Sequence, residues 1–532
     1  MSFALQNLLV HYNFCLCFFK IKMIQINSIS FSFGAQILFQ DFSLATNAKC
    51  ACIAGNNGVG KSTLLKLAAG ILDPSSGTIK ISGEAIYVEQ ECDEIPQSVF
   101  SSFWGGGNEA RKFYSMLGVT EEKISRWEEL SGGEKKCIQI AAALAENPCA
   151  LFLDEPSNHL DGENKQKIIS ALKNSRAQIL LVCHDREFAD ALCEQTIFLF
   201  RESETFAGGE DKVCAKIYNS NLSRALELRG AEFFSLQNEW QDANQNSQKI
   251  KNAVEKWRQE SAHSAGRMKK SAIEKGDHDA KCKIDMARIS GKDRTAGDTQ
   301  ARFESLLART NERRDKIKKP LSKKSGFAFS KANADFEAGN RFSANGIPEN
   351  ILQFPQKILA NGKSIDSFDI KRGARIAIVG KNGSGKTLLV KSILQTAKEK
   401  GRADNVFYLP QVTDENFRET LCKKFESLSN GEKGAVLSTL YRLNSNPDSL
   451  AQRENIFDAS PGEIRKIAIA MSLCQTPPYL YILDEPTNHL DLESVLAIEA
   501  ALKNLSAALI IVSHDNVFLK NVLRENFFSI SL

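Results

Sequence analysis

The chain has 532 residues, of which 42% are hydrophobic and 25% charged, with a formal net charge of +4. That length exceeds one ordinary core and implies three or four units; the composition is globular, which excludes a disordered or collagen-like chain. Thirteen cysteines form no CxxC pair, only the CxC pairs Cys15/Cys17 and Cys50/Cys52, which argues against a zinc ribbon, a ferredoxin or a disulfide framework and for free cytoplasmic thiols.

Residues 3–21 are the most apolar stretch, interrupted by Gln6, Asn7, His11 and Asn13. No Lys or Arg precedes it and no small-residue cleavage pattern follows, so it reads poorly as a leader or a membrane span. A patterned strand opens at Met23 (Ile24, Ile26, Ile29). Residues 1–22 therefore read as an extension, with Met23 the expected true start.

From there the chain contains itself twice. Gly55, Asn56, Asn57, Gly58, Val59, Gly60, Lys61, Ser62 and Thr63 return as Gly380, Lys381, Asn382, Gly383, Ser384, Gly385, Lys386, Thr387 and Leu388. Leu153-Asp-Glu-Pro-Ser-Asn-His-Leu-Asp161 returns as Leu483-Asp-Glu-Pro-Thr-Asn-His-Leu-Asp491. The loop lysine precedes the motif aspartate by 93 residues in one copy and 98 in the other, and a histidine, His184 or His514, follows that aspartate by 30 in both. Such agreement implies two homologous α/β nucleotide domains, residues 23–205 and 325–532. Residues 50–54 and 375–379 read as short buried strands entering the glycine loops, followed by helices carrying Leu64, Leu65, Leu67 and Leu388, Leu389, Val390. Residues 150–153, 480–483, 179–182 and 509–512 read as further buried strands, with acidic residues or histidines at their carboxyl ends, where a parallel sheet presents its active groups.

Between the copies, residues 206–324 read as a charged helical linker. Residues 249–324 hold 22 Lys/Arg against 11 Asp/Glu, a net of +11 that leaves −7 for the rest of the chain. Residues 222–257 and 301–319 carry apolar side chains at helical spacing, including Phe303, Leu306 and Leu307, whereas 266–297 are rich in charge and glycine. Two helices folded back on each other around an irregular tip are expected.

The loops fit GxxxxGK[ST], in which glycines let backbone N–H groups surround β- and γ-phosphates and the following helix points its positive end at the anion. Lys61 and Lys386 add a point charge, and Ser62 and Thr387 a hydroxyl for Mg²⁺. Two such matches, each between a buried strand and a helix, outweigh glycine turns without a ligand. Asp154 and Asp484 are suited to hold the metal, and Glu155 and Glu485 to face the attacking water as general base or positioning group. His184 and His514 are placed to contact the γ-phosphate and that water. Gln90 and Gln411 share a position and are candidates for the metal shell; the bland alternative is two exposed glutamines. Ser131, Gly132, Gly133 and Glu134 open a helix 23 residues before Asp154; they form a second phosphate grip or a purely structural capping box. The twin is Ser460, Pro461, Gly462 and Glu463, where Pro461 has no N–H to give.

Taken together these motifs resemble the ATP-binding cassette set: Walker A, Q-loop, signature, Walker B, D-loop and switch histidine, in that order, twice. Paired cassettes with Asn-His-Leu-Asp after each Walker B, a charged helical linker and no membrane domain resemble the ABC-F family over essentially everything after residue 23. The resemblance implies two ATP molecules, with Mg²⁺, sandwiched head to tail. One site joins residues 55–62, Asp154 and Glu155 to residues 460–463; the other joins residues 380–387, Asp484 and Glu485 to residues 131–134. Phe33 occupies the place of an adenine-stacking aromatic, without a partner in the second copy. Pro461 predicts unequal sites, the first slower.

The resemblance further implies a cytoplasmic monomer that acts on the ribosome near the tRNA exit site. Its linker would reach the peptidyl-tRNA and the peptidyl-transferase region, and hydrolysis would drive release, in translation control or in antibiotic resistance by ribosomal protection. Arg267, Lys269, Lys270, Lys275, Lys281, Lys283, Arg288, Lys292 and Arg294 are the candidate RNA contacts. The 40 residues from Gln90 to Leu130 are too few for the helical arm some members insert there. The alternative, the ATPase component of an ABC transporter, shares every catalytic residue but has no need of a basic linker. A paired-cassette DNA-repair ATPase carries zinc-binding cysteine pairs, which are missing from this sequence.

Overall fold

The computed structural model describes residues 23–34, 36–158, 160–267, 286, 292–321, 349–381, 383–445, 459–474, 478–523 and 527–532, with backbone alone for 260–267 and 292–301. The expected extension 1–22, Asn382 and most of the linker tip, with Lys269, Lys270, Lys275, Lys281, Lys283 and Arg288, lie outside the described residues.

Continuous apolar runs become the middle of parallel sheets, where both faces of a strand are covered. In the first copy six strands lie in the order Ala85–Val88, Ala150–Asp154, Gln178–Val182, Cys50–Gly55, Gln195–Arg201, Val213–Tyr218. The first five are parallel and the last is antiparallel. Register pairs Asp154 with Val182, so the acidic strand end and the turn leading to His184 emerge at one edge. A three-stranded antiparallel sheet, Gln36–Thr46, Ile24–Phe33 and Ser76–Lys80, packs its alternate residues Ile24, Ile26 and Ile29 onto Leu64 and Leu65. The sheet runs on past residue 205 to Val213–Tyr218, an edge strand whose mixed polar pattern hides it in the sequence.

The second copy repeats the order with five parallel strands: Val406–Leu409, Leu480–Asp484, Ala508–Val512, Arg375–Val379, Phe528–Ser531. Among the described residues its antiparallel part is two small hairpin-like pairs, Asn350–Phe354 with Phe368–Lys371 and Lys357–Ile358 with Ser364–Ile365.

By its contacts the chain divides into two compact units. One holds both copies of the repeat; the other holds Glu202–Asp211 and Leu226–Ser322. The long helix Leu222–Arg267, in that second unit from Leu226 onward, pairs antiparallel with the helix Lys292–Lys316. Ser247 meets Asn311 at 2.6 Å, Arg258 meets Glu304 at 2.7 Å, and Trp257 packs on Phe303 with Val254 buried beside them. Both helices extend further toward the tip than apolar periodicity predicts, because Gln, Glu, Ala and Arg sustain a helix without an apolar stripe. The second begins at Lys292 and tolerates Gly297 inside it. No helix among the described residues is long and apolar enough to cross a membrane.

Candidate functional site

Each glycine loop turns a buried strand into a helix through a residue only glycine adopts at little cost. Gly60 and Gly385 cap the helices Lys61–Ala68 and Lys386–Glu399 with φ of +101° and +104°. The lysine that opens each helix folds back over its own loop. Lys61 Nζ donates to the carbonyls of Gly55 (2.7 Å) and Asn56 (3.1 Å); Lys386 Nζ donates to those of Gly380 (2.8 Å) and Lys381 (3.2 Å). Burial lowers both lysines, against the pull of Glu155, Asp491 and Asp154 on Lys61 and of Glu485 and Asp484 on Lys386.

The acidic strand ends face these lysines. Glu155 and Glu485 are non-glycine residues in the left-handed region, φ +46° and +47°, a conformation that persists only where the surroundings impose it. Here the imposing contact is the neighbouring strand: the Glu155 N–H donates to Val182 O and that of Glu485 to Val512 O, each at 2.9 Å. Burial, opposed by Lys61, lifts Glu155 to about 8; burial and Asp484 lift Glu485 to about 7. Burial followed by the nearby lysine depresses His184 to about 3 and His514 to about 4, so both rings are neutral at pH 7. His184 Nε2 stands 3.0 Å from Glu155 Oε1, whereas His514 Nε2 lies 3.6 Å from Glu485 Oε1 and 2.9 Å from Lys386 Nζ. The two copies are alike in composition and different in detail.

One cavity of about 1280 Å³ brings these groups together. It is lined by Phe33, Gly58, Gly60, Lys61, Ser62, Thr63 and Gln90 with Asp154, Glu155 and His184 from the first copy. From the second it takes Gly383, Ser384, Gly385, Lys386, Thr387, Leu388 and Gln411 with Asp484, Glu485 and His514. Asn57, Ser131 and Gly132 also line it; Ser460, Gly462 and Glu463 lie off its described wall. Gly462 is packed against its own D-loop, where a Cβ would come within 2.4 Å of His489 O. Ser131 and Glu134 cap each other reciprocally, and Ser460 and Glu463 exchange the same pair of bonds. Gly55, Val59 and Gly133 are buried beneath the loops they belong to, and Phe33, 55% exposed, stands edge-on to Phe31.

The oxygen groups fit a hard divalent cation shared with phosphates. Asp154 Oδ1 and Glu155 Oε2 are buried without a hydrogen-bond partner, as is Glu485 Oε1. Thr387 Oγ1 donates to Asp484 Oδ2 at 3.3 Å, and Tyr87 Oη donates to Asp154 Oδ2 at 2.9 Å. Among the described residues no cluster of three or more His, Cys, Asp or Glu could hold a metal alone. A single carboxylate beside a hydroxyl suits Mg²⁺, which keeps waters and takes phosphate oxygens rather than an all-protein cage.

Several contacts escape motif reading. Asp491 Oδ2 accepts the Asn57 N–H across the two copies at 3.1 Å, and Asn444 Nδ2 reaches Asn56 Oδ1 at 3.2 Å. Lys381, predicted to touch phosphate, pairs with Glu163 of the other copy at 2.6 Å. Two residues past each signature glutamate stands a buried cation that holds the glutamine loop. Lys136 Nζ donates to Gln90 O (2.9 Å), while Arg465 donates to Gln411 O and to Glu485 O (2.9 Å). Alignment of the two copies carries that signal, because the offset is identical.

Comparison with known proteins agrees with this geometry. The family described as ABC transporter matches residues 40–158 and again 364–488. The chain is 29% identical over 519 residues to the ribosome protection protein VmlR of Bacillus subtilis, covering 94% of this chain and 85% of that one. It is 26% identical over 473 residues to the erythromycin resistance ATP-binding protein MsrA of Staphylococcus epidermidis, covering 88% and 90%. It is 27% identical over 531 residues to the ATP-binding protein Uup of Caulobacter vibrioides, covering 94% and 76%. Among solved structures, the RNase-L inhibitor shares the fold with a TM-score of 0.55 at 18% identity, covering 94% of this chain and 86% of that one.

Proposed function

We propose that this chain is a tandem ATP-binding cassette ATPase of the ABC-F kind that acts on the ribosome, clamping two ATP molecules between its cassettes and using their hydrolysis to let go; the two matches to the ABC transporter family and the relatives named above support this. The observation that carries the reading is the single cavity onto which both phosphate loops, both acidic pairs and both switch histidines open. Relatives that span nearly the whole chain and are named for ribosome protection and erythromycin resistance support the ribosomal half.

In each site the loop N–H groups and the lysine bind the β- and γ-phosphates. Ser62, Gln90 and Asp154 would hold Mg²⁺ in one site, and Thr387, Gln411 and Asp484 in the other; bound there, the ion neutralises charge on the transferred phosphoryl group. Glu155 or Glu485 orients a water in line with the γ-phosphorus and accepts its proton as the bond to the β–γ bridging oxygen breaks, leaving ADP and phosphate. Burial lifts both glutamates toward neutral pH, so the fraction that is ionised holds an accepted proton more firmly than an ordinary carboxylate would. The neutral histidine beside it carries no charge to attract the carboxylate away from the water.

The linker's net positive charge suits a phosphate-rich partner, and we assign it the role of reaching from the tRNA exit site toward the peptidyl-tRNA, in translation control or drug resistance. The deciding experiment loads the Glu155→Gln/Glu485→Gln double variant with ATP and Mg²⁺ and sediments it with 70S ribosomes. Co-sedimentation that ADP abolishes is the expected result. A variant that binds ATP yet stays in the supernatant overturns the ribosomal assignment and leaves the ATPase intact.

A further inference from the structure

Arg186 opens the helix Arg186–Leu192, two residues after the switch histidine His184, and only 4% of it is exposed. Its guanidinium forms a two-bond ion pair with Glu499 of the other cassette, 313 residues along the chain, the longer bond being 3.2 Å. Glu499 is also buried, and Asn521 Nδ2 donates to the same carboxylate at 3.0 Å. Glu499 lies on the helix Leu492–Lys503, whose N-cap is Asp491, the acceptor of the Asn57 N–H. One helix of the second cassette therefore grips both the phosphate loop and the switch-histidine turn of the first.

The repeat says where the mirror contact belongs, and it is missing. At equal distances from the motif aspartates, Arg186 matches Asn516, Glu499 matches Ile169 and Asn521 matches Ala191. Asn516 cannot pair with Ile169 and instead, itself exposed, donates to half-buried Glu187 at 3.1 Å. The switch histidines differ in step with this: His184 is engaged with its glutamate at 3.0 Å, and His514 with Lys386 at 2.9 Å.

We propose that the Arg186–Glu499 pair is a one-sided positioning device that holds His184 against Glu155, so that hydrolysis in the first site depends on it and hydrolysis in the second does not. A buried ion pair adds little net stability but fixes one arrangement, because either charge left alone is costly. Neither residue reaches the reacting atoms; both act through the turn that carries His184. The inference rests on the reading of Glu155 and Glu485 as the water-activating groups of two sites.

The test measures ATP turnover of Arg186→Met and Glu499→Gln in two backgrounds. Glu485→Gln leaves the first site active, and Glu155→Gln leaves the second. In the first background each change is expected to lower kcat about tenfold with KM for ATP nearly unchanged, since small misplacements of a catalytic group carry large costs. In the second background the loss stays within about twofold, and Arg186→Lys restores part of the first. Equal losses in both backgrounds, or none in the first, overturn the inference; if Arg186→Met does not fold, the isosteric Glu499→Gln decides. Should Glu155→Gln and Glu485→Gln themselves leave turnover untouched, the underlying reading has failed instead, a result distinguishable before Arg186 is altered.

Discussion

The backbone N–H of Asn57 and the carboxylate of Asp491, 434 residues apart, meet at 3.1 Å, which ties the first phosphate loop to the D-loop of the other cassette. The same aspartate caps its helix through Ser494 N at 2.8 Å, and its twin Asp161 caps the matching helix through Asn164 N at 2.9 Å. Burial would raise Asp491, but Lys466, Ser494 and the Asn57 N–H outweigh it and hold it low.

Comparing the two aspartates isolates the crossing bond. Asp161→Ala loses a cap and is expected to cost about 1 kcal/mol. Asp491→Ala loses a cap and also removes the acceptor of the partly buried Asn57 N–H and the carboxylate that faces Lys466, for about 2 kcal/mol. Urea midpoints of the two variants check this; equal losses would mean that the crossing bond contributes nothing.

The candidate nucleotide site is legible because it is local. Gly55 to Ser62 must bend in one way to surround phosphate, and Asp154 with Glu155 must end a buried strand, so spacing alone locates them. What crosses between cassettes is less legible: the repeated motif flags Asp491 and the glycine loop flags Asn57 without pairing them, and nothing near Arg186 in the chain announces Glu499. Local motifs also mislead. Ser429 and Glu432 form the same reciprocal capping box as Ser131 and Glu134, in Leu428-Ser429-Asn430-Gly431-Glu432, yet that helix lies well before the strand Leu480–Asp484, out of the spacing of the first copy. The edge strand Val213–Tyr218 escaped because only its two ends are buried.

Arg465 is expected to be among the most sensitive positions outside the reacting groups. It is 1% exposed and serves two carbonyls, those of Gln411 and Glu485. Arg465→Met strands both acceptors and is expected to destabilise by roughly 2–4 kcal/mol. Arg465→Lys, which keeps the charge and can reach the glutamine-loop carbonyl as Lys136 does in the first copy, recovers about half of that loss. Denaturant titration of the two variants measures the difference, and a neutral Arg465→Met would show that the glutamine loop is held by other contacts.

The two sites are expected to turn over unequally. Pro461 replaces the glycine donor present at Gly132, and the residues around it stand off the described cavity wall, whereas Ser131 and Gly132 line it. Glu485→Gln, which leaves only the first site, should therefore depress turnover more than Glu155→Gln. Pro461→Gly restores a backbone N–H, and a single hydrogen bond of about 1 kcal/mol raises turnover in the Glu485→Gln background by roughly fivefold. Steady-state phosphate release from the three variants checks the order.

Stability should fall as pH rises through the range in which Glu485 is held protonated. Its folded value of about 7 exceeds the ordinary 4.5, with burial the largest cause and Asp484 adding to it. Below 4.5 both folded and unfolded carboxyls carry a proton and no difference arises. Between 4.5 and 7 the unfolded carboxyl ionises first, so the unfolded state gains; above 7 the loss is complete, at about 3 kcal/mol. Glu485→Gln removes the ionisation and with it the loss. The variant should match the parent near pH 4 and unfold at higher denaturant at pH 8, with the gap opening progressively between those values. Parallel curves at all pH values would mean that Lys386 and Arg465, which oppose the shift, keep the carboxylate ionised throughout.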